Sequence, residues 1–303
     1  MMSENTVIKI EHLTKNFGDG KGVFDISLDI KRGEMVGFVG TNGSGKSTTI
    51  RCVIGFIKPN KGASYVLGKE SWHYSSSFIK NVGYVPGEIA FPDLRTGTQF
   101  LKNQAEFLNL KDFTYANKLI KVLLLDPRAN LKRMSKGMKQ KTALVAALMH
   151  EPEILILDEP TTGLDPLMRI NFMNIVKEEH KKGKTILMSS QSFDELEESC
   201  DRVVFLFNGK ILSIATMDEI KNRNDQELKI EFLNKEDYEN FKKLGYKIVR
   251  DQSKYNQVTV SIKKGDINTL LENLKPFKLK FISEVKYTLE NHFKKIANIK
   301  EEH

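Results

Sequence analysis

The sequence has few of the residues that build disulfide frameworks or membrane spans. Its 303 residues include two cysteines, Cys52 and Cys200. Their number and spacing fit neither a disulfide framework nor a metal site, so we expect two inert thiols in a reducing compartment. No stretch approaches the roughly 20 consecutive apolar residues that a membrane-spanning helix requires. The polar start MMSENTVIKIEHL is unlike a signal peptide. These shortages predict a globular cytosolic protein.

The charge is basic but is not concentrated in one part of the chain. Lys and Arg number 47 against 39 Asp and Glu, a net charge of +8. From Asn224 to the end there are 16 basic and 13 acidic residues, a net of +3, which leaves +5 for the rest. A surface that binds single-stranded nucleic acid combines basic residues with aromatic ones. In this sequence the aromatic residues are not interleaved with the basic ones. We interpret the excess as a solvated basic surface and expect no nucleic-acid partner.

Hydrophobic patterning predicts a long α/β region followed by a shorter α+β region. The stretch at 7–17 alternates like a strand, whereas ILILDEP and TILMSS are continuous apolar runs typical of buried parallel strands. Helices are predicted at 47–57, within 98–126, at 137–150 and at 172–183. A polar linker at 221–227 sets the predicted domains, 1–222 and 223–303. The second domain reads as β-α-β-β-α-β with a closing helix and carries no nucleophile or glycine loop.

The stretch GTNGSGKST carries the clearest chemical signal. It matches G-x-x-x-x-G-K-[ST] between a predicted strand and a predicted helix. Glycines let backbone N–H groups turn inward onto phosphate oxygens, and the following helix adds its positive N-terminal end. Lys46 supplies a charge to the β and γ phosphates, and the Ser47 hydroxyl is a Mg²⁺ ligand. The predicted nucleotide-binding loop comprises Gly40, Thr41, Asn42, Gly43, Ser44, Gly45, Lys46, Ser47 and Thr48.

A pair of acidic residues ends the apolar run ILILDEP. Asp158 at the end of a buried strand can hold Mg²⁺ through water, because the strand fixes its position. Glu159 is then placed to orient and deprotonate an attacking water. A surface acid at a strand end is the alternative for Glu159, but the following PTTGLDP argues against it.

At this point the sequence resembles the ATP-binding subunits of ATP-binding-cassette (ABC) transporters. GTNGSGKST, MSKGMKQK, ILILDEPTTGLDP and ILMSSQSFDELEESCDRV match the family's motifs in order, over residues 5–220 or so. The resemblance implies a P-loop NTPase cassette of the α/β class, with a mixed sheet core, a helical subdomain and an antiparallel β subdomain. The second domain resembles, by arrangement, the small C-terminal α+β domain of cassettes that serve drug, peptide and antibiotic-resistance exporters.

The resemblance also implies roles for further residues. Phe17 falls where the family stacks an aromatic ring on adenine, although a core phenylalanine at a strand end remains an alternative. Ser135 and Gly137 lie in the signature stretch, which closes on ATP bound to a second subunit. Asp165 matches the loop through which the two subunits communicate. The implied cofactors are ATP and Mg²⁺.

Three positions depart from the family's pattern. The signature reads MSKGM, with Lys136 in place of a glycine, and its charge either approaches the partner's nucleotide or points to solvent. Gly87 stands where the family has a glutamine that senses Mg²⁺, so coupling is expected through the backbone and the neighbouring FPDLRTG. Gln191 stands where the family has a histidine and can donate a hydrogen bond but cannot become cationic. We expect hydrolysis to survive because Glu159 is present.

The resemblance implies an ATPase that drives export of peptides or drugs through separate membrane-spanning permease subunits. Two cassettes, identical or different, would close on two ATP molecules at the cytoplasmic face of the membrane. A regulatory cassette with little hydrolysis is the main alternative, motivated by Gly87 and Gln191. A soluble ABC ATPase acting on nucleic acid and a P-loop kinase are further alternatives, and a kinase would have no use for MSKGM or TTGLDP. The C-terminal domain either holds the dimer, regulates the cycle or is passive.

Overall fold

The computed structural model describes residues 5–297. It divides into two compact units, the first ending at Met217 and the second beginning at Asp218. The boundary predicted from the sequence lies between residues 222 and 223. No helix of the described residues is long and apolar enough to cross a membrane.

The first unit contains two sheets and the helices that connect them. Its strands are β1 Thr6–Gly18, β2 Lys21–Lys31, β3 Met35–Val39, β4 Lys61–Val66, β5 Lys69–Glu70, β6 Val82–Val85, β7 Ile154–Asp158, β8 Thr185–Ser190, β9 Arg202–Phe207 and β10 Lys210–Thr216. Its helices are α1 Lys46–Val53, α2 Ser71–Tyr74, α3 Gly97–Phe107, α4 Thr114–Val122, α5 Lys136–Leu148, α6 Pro166–Lys181 and α7 Phe193–Glu197, and α8 Met217–Lys221 begins at its last residue.

The larger sheet is mixed, and the smaller sheet is antiparallel. The larger has the strand order β10-β9-β3-β8-β7-β6, in which only the β9–β10 pair is antiparallel. The smaller has the order β2-β1-β4-β5. The carboxyl ends of β3, β7 and β8 therefore meet at one edge, which is where open α/β sheets place ligands. This confirms the fold class predicted from the sequence.

One apolar core joins the two sheets of the first unit. Ile8, Val23 and Phe38 are fully buried in it together with Ile50 of α1 and Ile154 of β7. The core thus holds α1 between the sheets and fixes the loop that precedes this helix. Both cysteines are free and buried, as predicted, and burial raises the pKa of Cys52 to about 11.

The second unit has its own sheet and its own core. Its elements are β11 Asp225–Phe232, α9 Lys235–Lys242, β12 Lys247–Gln252, β13 Gln257–Lys263, α10 Ile267–Leu274, β14 Leu279–Val285 and α11 Leu289–Ile296. The strands pair antiparallel in the order β12-β13-β11-β14. Alternate residues of β11, Leu228, Ile230 and Phe232, face the core and meet Tyr238 and Phe241 of α9. The predicted β-α-β-β-α-β order with a closing helix is confirmed.

Two predicted helices have different limits in the structure. The helix predicted at 172–183 begins at Pro166, because Asp165 caps it by accepting a hydrogen bond from the Met168 N–H at 3.0 Å. Proline is suited to this first helical position, where its missing N–H costs nothing. The helix predicted at 47–57 ends at Val53. The backbone then turns at Gly55, which has a φ of +77°.

Candidate functional site

The glycine-rich loop between β3 and α1 forms one wall of a pocket of about 570 Å³. This volume lies within the usual range for small-molecule sites. Phe17 lies at the pocket with 56% of its surface exposed and with Lys15 Nζ 5.4 Å from its ring centre. Nine of the residues predicted from the sequence line this pocket. They are Phe17, Asn42, Gly43, Ser44, Gly45, Lys46, Ser47, Thr48 and Glu159.

Lys46 is the first residue of α1, directly after the glycine-rich loop. Its side chain is buried, and Nζ donates hydrogen bonds to the carbonyl oxygens of Gly40 at 2.9 Å and Thr41 at 3.2 Å. Burial lowers the pKa of Lys46, while the carboxylates of Glu159 and Asp158 act in the opposite direction. Gly40 and Thr41 do not line the pocket, and their carbonyl oxygens hold the Lys46 side chain.

Two glycines of the loop are required by their surroundings. A Cβ on Gly40 would lie 2.2 Å from the carbonyl oxygen of Leu206 in β9. A Cβ on Gly45 would lie 2.5 Å from Val23 Cγ1, and Gly45 also has a φ of +106°. Because the loop packs closely against β2 and β9, a side chain at either position would clash, so glycine is required at both.

Glu159 and Gln191 meet at the edge of the pocket. Glu159 adopts a left-handed backbone with a φ of +48°, uncommon for a residue other than glycine. One carboxylate oxygen, Oε1, lies 3.9 Å from Lys46 Nζ. The Gln191 side-chain amide donates to both Glu159 oxygens at 2.9 Å. The hydrogen-bond donor predicted at Gln191 thus lies beside Glu159, and its role at the site stays a prediction.

Asp158 lies behind Glu159 and is fully buried at the end of β7. Its Oδ1 accepts a hydrogen bond from the Ser189 hydroxyl at 2.6 Å. Its Oδ2 is buried without a hydrogen-bond partner among the described residues, and the same holds for the Ser44 hydroxyl in the loop. Buried polar atoms are normally paired, so an unpaired buried carboxylate oxygen indicates a place for a ligand.

Ser135 and Gly137 lie at the start of α5, and Asp165 caps the start of α6. Ser135 caps α5 by accepting a hydrogen bond from the Met138 N–H at 3.2 Å. A Cβ on Gly137 would lie 2.8 Å from the carbonyl oxygen of Gly163, so α5 begins against the loop that ends at Asp165. None of these three residues lines the pocket. We call them the signature surface.

The stem of Lys136 lies across the same loop. Its Cγ, Cδ and Cε atoms are within 3.0 to 3.4 Å of the position that a Cβ on Gly163 would take. Gln140 Nε2, buried one turn further along α5, donates to the Pro160 carbonyl oxygen at 2.8 Å. These contacts attach the start of α5 to the loop after Glu159.

Several residues of the site were missed by sequence reasoning. Lys21 and Gly22 line the pocket from the start of β2, and Asn208 lines it from the turn after β9. Ser189 contacts Asp158 because β7 and β8 are neighbours and pair Asp158 with Ser189. No local pattern marks these positions, since each depends on which strands lie side by side.

Comparison with known proteins agrees with this geometry. The family model described as ABC transporter matches residues 23–162. The bacitracin transport ATP-binding protein BcrA of Bacillus licheniformis is 32% identical over 233 residues, which are 75% of this chain and 75% of that protein. The linearmycin resistance ATP-binding protein LnrL of Bacillus subtilis is 33% identical over 226 residues, 72% of this chain and 71% of that protein.

A solved structure of the ATP-binding subunit of an ABC transporter is 31% identical, with a TM-score of 0.64, and the match covers 71% of this chain and 92% of that one. The chain belongs to the ABC transporter family. It is an ATP-binding subunit and an ATPase, and its cofactors are ATP and Mg²⁺. The match to BcrA extends beyond the family model's last residue, Thr162, so it also includes parts of the cassette after Asp158 and Glu159.

The residues of this ABC cassette fit Mg²⁺. Among residues 5–297, no group of three or more His, Cys, Asp or Glu side chains is placed to hold a metal ion. Mg²⁺ instead prefers few protein oxygens and retains several waters. The unpaired Oδ2 of Asp158 and the hydroxyl of Ser47 at the pocket provide such oxygens.

Proposed function

We propose that this chain is the ATP-hydrolysing subunit of an exporter. The observation that carries the proposal is the position of Glu159, whose carboxylate reaches within 3.9 Å of Lys46 Nζ at the wall of the pocket. A carboxylate beside the group that holds the terminal phosphates can accept a proton from an attacking water. Exporter function is supported by the names of the relatives, which are transport and resistance proteins.

Each pocket residue then has a role. Lys46, which now bonds two carbonyl oxygens, would bind phosphate oxygens, and Ser47 with Asp158 would hold Mg²⁺, which would supply positive charge beside the phosphates. The exposed ring of Phe17 is available to stack on adenine. Gln191 releases or turns Glu159 when nucleotide is bound, since both carboxylate oxygens accept from its amide in this structure.

The signature surface supports a dimer. Ser135, Gly137 and Asp165 lie outside the pocket, so they contribute to a nucleotide site only if they face the pocket of a second cassette. The N-terminus of α5 begins at this surface and presents backbone N–H groups that suit an anion. Two cassettes facing each other head to tail would complete two sites.

Mixing two inactive variants tests the dimer. Lys46→Ala removes the phosphate grip, and Ser135→Arg blocks the signature surface. A mixed dimer of the two has one intact composite site, so ATP turnover should reappear on mixing, although each variant alone is inactive. If the pocket works within a single chain, Ser135→Arg will keep its own activity and mixing will add nothing.

An apolar cavity of about 230 Å³ supports a permease partner. Ile89 and Phe91 line it, together with Phe100 of α3 and Ala146 of α5. It lies on the segment 84–91, which passes beside Asp158 at Gly87. We propose that a cytoplasmic segment of a separate membrane permease docks here and places this chain at the cytoplasmic face of the membrane.

The permease contact can be tested by filling the cavity. Ala146→Trp should abolish co-purification with the membrane protein encoded beside this chain, while ATP binding is retained. Leu124→Trp is the matched control, because Leu124 is 69% exposed and lies outside the cavity. Equal recovery of the permease with both variants would argue against docking at this cavity.

The cargo is proposed from the relatives alone. BcrA is named for bacitracin transport and LnrL for linearmycin resistance, so we propose drugs or peptides as the exported class. Cells that express the chain with its permease should tolerate more of such a compound than cells that carry Lys46→Ala. Equal tolerance across a panel of peptides and drugs would oppose this assignment.

A regulatory cassette with little hydrolysis is the second candidate. The observation that favours it is the double contact from Gln191, which leaves no oxygen of Glu159 free of a donor. In that case ATP would bind and close the dimer, but turnover with the permease present would stay at the level of Glu159→Gln. A wild-type rate well above that of the variant favours the hydrolytic function.

A further inference from the structure

The carboxylate of Asp158 is held in one orientation by a single hydroxyl group. Ser189 Oγ donates to Asp158 Oδ1 at 2.6 Å and accepts the backbone N–H of Glu159 at 2.9 Å. Ser189 is fully buried, and its strand β8 pairs directly with β7. Because the Ser189 hydroxyl donates one hydrogen bond and accepts another, it links the Asp158 carboxylate to the backbone of Glu159, the proposed base.

The other oxygen of Asp158 faces a backbone without a side chain. Oδ2 is buried and has no hydrogen-bond partner among residues 5–297. A Cβ on Gly87 would lie 3.1 Å from this oxygen, tighter than most such contacts, and 3.4 Å from Asp158 Cγ, an ordinary contact distance. The carboxylate would have to shift by a few tenths of an ångström to accept this atom, while its other oxygen is bonded to Ser189. Gly87 is therefore the residue that leaves space beside Oδ2.

We propose that Ser189 and Gly87 are the positioning residues of the metal site. Ser189 fixes the plane of the Asp158 carboxylate, and Gly87 keeps its free oxygen accessible to the cation and the cation's water. The inference rests on the proposed role of Asp158 as a Mg²⁺ residue. Neither residue lines the pocket, and both lie against Asp158, so both would act through it.

This arrangement gives the departure at Gly87 a physical reason. The family's glutamine reaches the metal with a side chain, whereas here the segment 84–91 approaches the metal-side carboxylate with its main chain. A displacement of this segment would change the space at Oδ2 directly. The contact that couples the segment to the metal is thus a steric one, and it depends on the absence of a Cβ.

Nucleotide affinity measured with and without metal tests the proposal. A fluorescent non-hydrolysable ATP analogue is titrated into each variant in excess Mg²⁺ and again in EDTA, and the ratio of the two affinities is the metal enhancement. Loss of a residue that orients a metal ligand typically costs 10- to 100-fold in metal affinity. We expect Ser189→Ala and Gly87→Ala each to lower the enhancement by about tenfold, with unchanged affinity in EDTA.

Two further variants make the outcomes distinct. Ser64→Ala is the matched control, because Ser64 is also buried and donates one hydrogen bond, to the Cys52 carbonyl oxygen at 2.9 Å. Its metal enhancement should equal that of the wild type. Asp158→Asn is the reference for the metal site itself and should abolish the enhancement.

The measurements distinguish the proposed metal role of Asp158 from the proposed positioning role of Ser189 and Gly87. If Asp158→Asn keeps the wild-type enhancement, the proposed metal role of Asp158 fails. If Asp158→Asn loses it while Ser189→Ala and Gly87→Ala keep it, the proposed function stands and the positioning role is wrong. Thermal unfolding of each variant identifies any that is misfolded, and the proposal is then judged on the other variant. Loss of affinity in EDTA as well would mean that the substitution damages the loop, which also overturns the proposal.

Discussion

Two buried carboxylates, one in each unit, have opposite environments. In the second unit, Glu231 accepts hydrogen bonds at both oxygens, from Gln257 at 2.8 Å and from Lys280 at 2.6 Å. The hydrogen bond from Lys280 lowers the pKa of Glu231. In the first unit, Asp158 has one oxygen bonded to Ser189 and the other unpaired. A carboxylate with both oxygens satisfied connects strands, whereas an unpaired oxygen indicates a place for a ligand.

The two units also differ in what fills their cores. Phe241 of α9 is 1% exposed, and its ring centre lies 5.2 Å from that of Phe232 and 5.5 Å from that of Tyr246. Aromatic contacts of this kind stabilise a small domain. The first unit has a larger aliphatic core, and its unpaired buried oxygens at Asp158 and Ser44 lie at the edge of the sheet. The comparison predicts that substitutions in the second unit affect stability and those at the site affect binding.

The largest effect is expected from Phe241→Ala. Removal of a buried phenylalanine costs about 3–5 kcal/mol of stability, because transfer and cavity terms add. The second unit should therefore unfold at a lower denaturant concentration, while affinity for ATP in the first unit is retained. Denaturation followed by circular dichroism, together with nucleotide titration, checks both parts. Parallel loss of affinity and stability would break the distinction between the units.

The first unit also contains a buried carboxylate, Glu179, whose ion pairs we expect to contribute to stability. Glu179 is fully buried and bonds Tyr115 of α4 at 2.8 Å, Lys182 at 2.7 Å and also Lys184. Breaking such a buried pair by Glu179→Gln should cost about 3 kcal/mol. Arg32→Gln, which breaks the exposed pair with Glu153, is the control and should cost less than about 1 kcal/mol.

Glu179 also predicts a pH dependence. Burial alone would raise its pKa, but hydrogen bonds from Lys182, Lys184 and Tyr115 together lower it below the usual value. The stabilisation is therefore present above the pKa of an unfolded glutamate and is lost as pH falls through the lower folded value. Acid unfolding of the wild type should show this loss, and Glu179→Gln should lack it. Equal acid sensitivity of both proteins would contradict the assignment.

The next effect concerns the two carboxylates directly. Asp158→Asn should lower turnover by 10- to 100-fold, since it removes a charge from the proposed metal site. Glu231→Gln should leave turnover unchanged and lower the stability of the second unit. ATP hydrolysis rates and melting temperatures of the two variants are the measurement. Equal effects on turnover would mean that the unpaired oxygen does not distinguish the site.

The smallest effect is expected at His150. Burial, together with the nearby charge of Lys184, lowers the pKa of His150 to about 4. Between about pH 6.5 and pH 4, His150 is protonated in the unfolded chain but still neutral in the folded protein. The free energy of unfolding therefore decreases as pH falls across that range. We expect a loss of about 1–2 kcal/mol, allowing for partial solvent access. His150→Gln should flatten this part of the stability curve, and an unchanged slope would oppose it.

The strands and motifs that depend on local pattern were predictable from the sequence. β7 and β8 are continuous apolar runs, and the β-α-β-β-α-β order of the second unit follows from its alternation and turns. By contrast, β6 has only four residues, and α6 begins at Pro166 because of a cap that apolar periodicity does not reveal. Short strands and caps carry too little pattern to be recognised without their neighbours.

The candidate site was predictable only in part. The residues of the phosphate loop lie next to each other in the chain, so their spacing indicates their chemistry. Ser189 reaches Asp158 from β8 and Gly87 from the turn after β6, and their contacts depend on the order of strands in the sheet. The contact between Gln191 and Glu159 likewise links residues 32 positions apart. Contacts across a sheet require its topology, which a single sequence does not state.

The central claim is that this chain hydrolyses ATP with Glu159 as the base beside the phosphate loop. Its most direct test is the steady-state ATP turnover of Glu159→Gln, measured with the permease present, against that of the wild type. Removing a general base typically costs 10²- to 10⁴-fold in rate, and we expect a loss in that range with nucleotide binding retained. A variant that hydrolyses ATP at the wild-type rate would contradict the account.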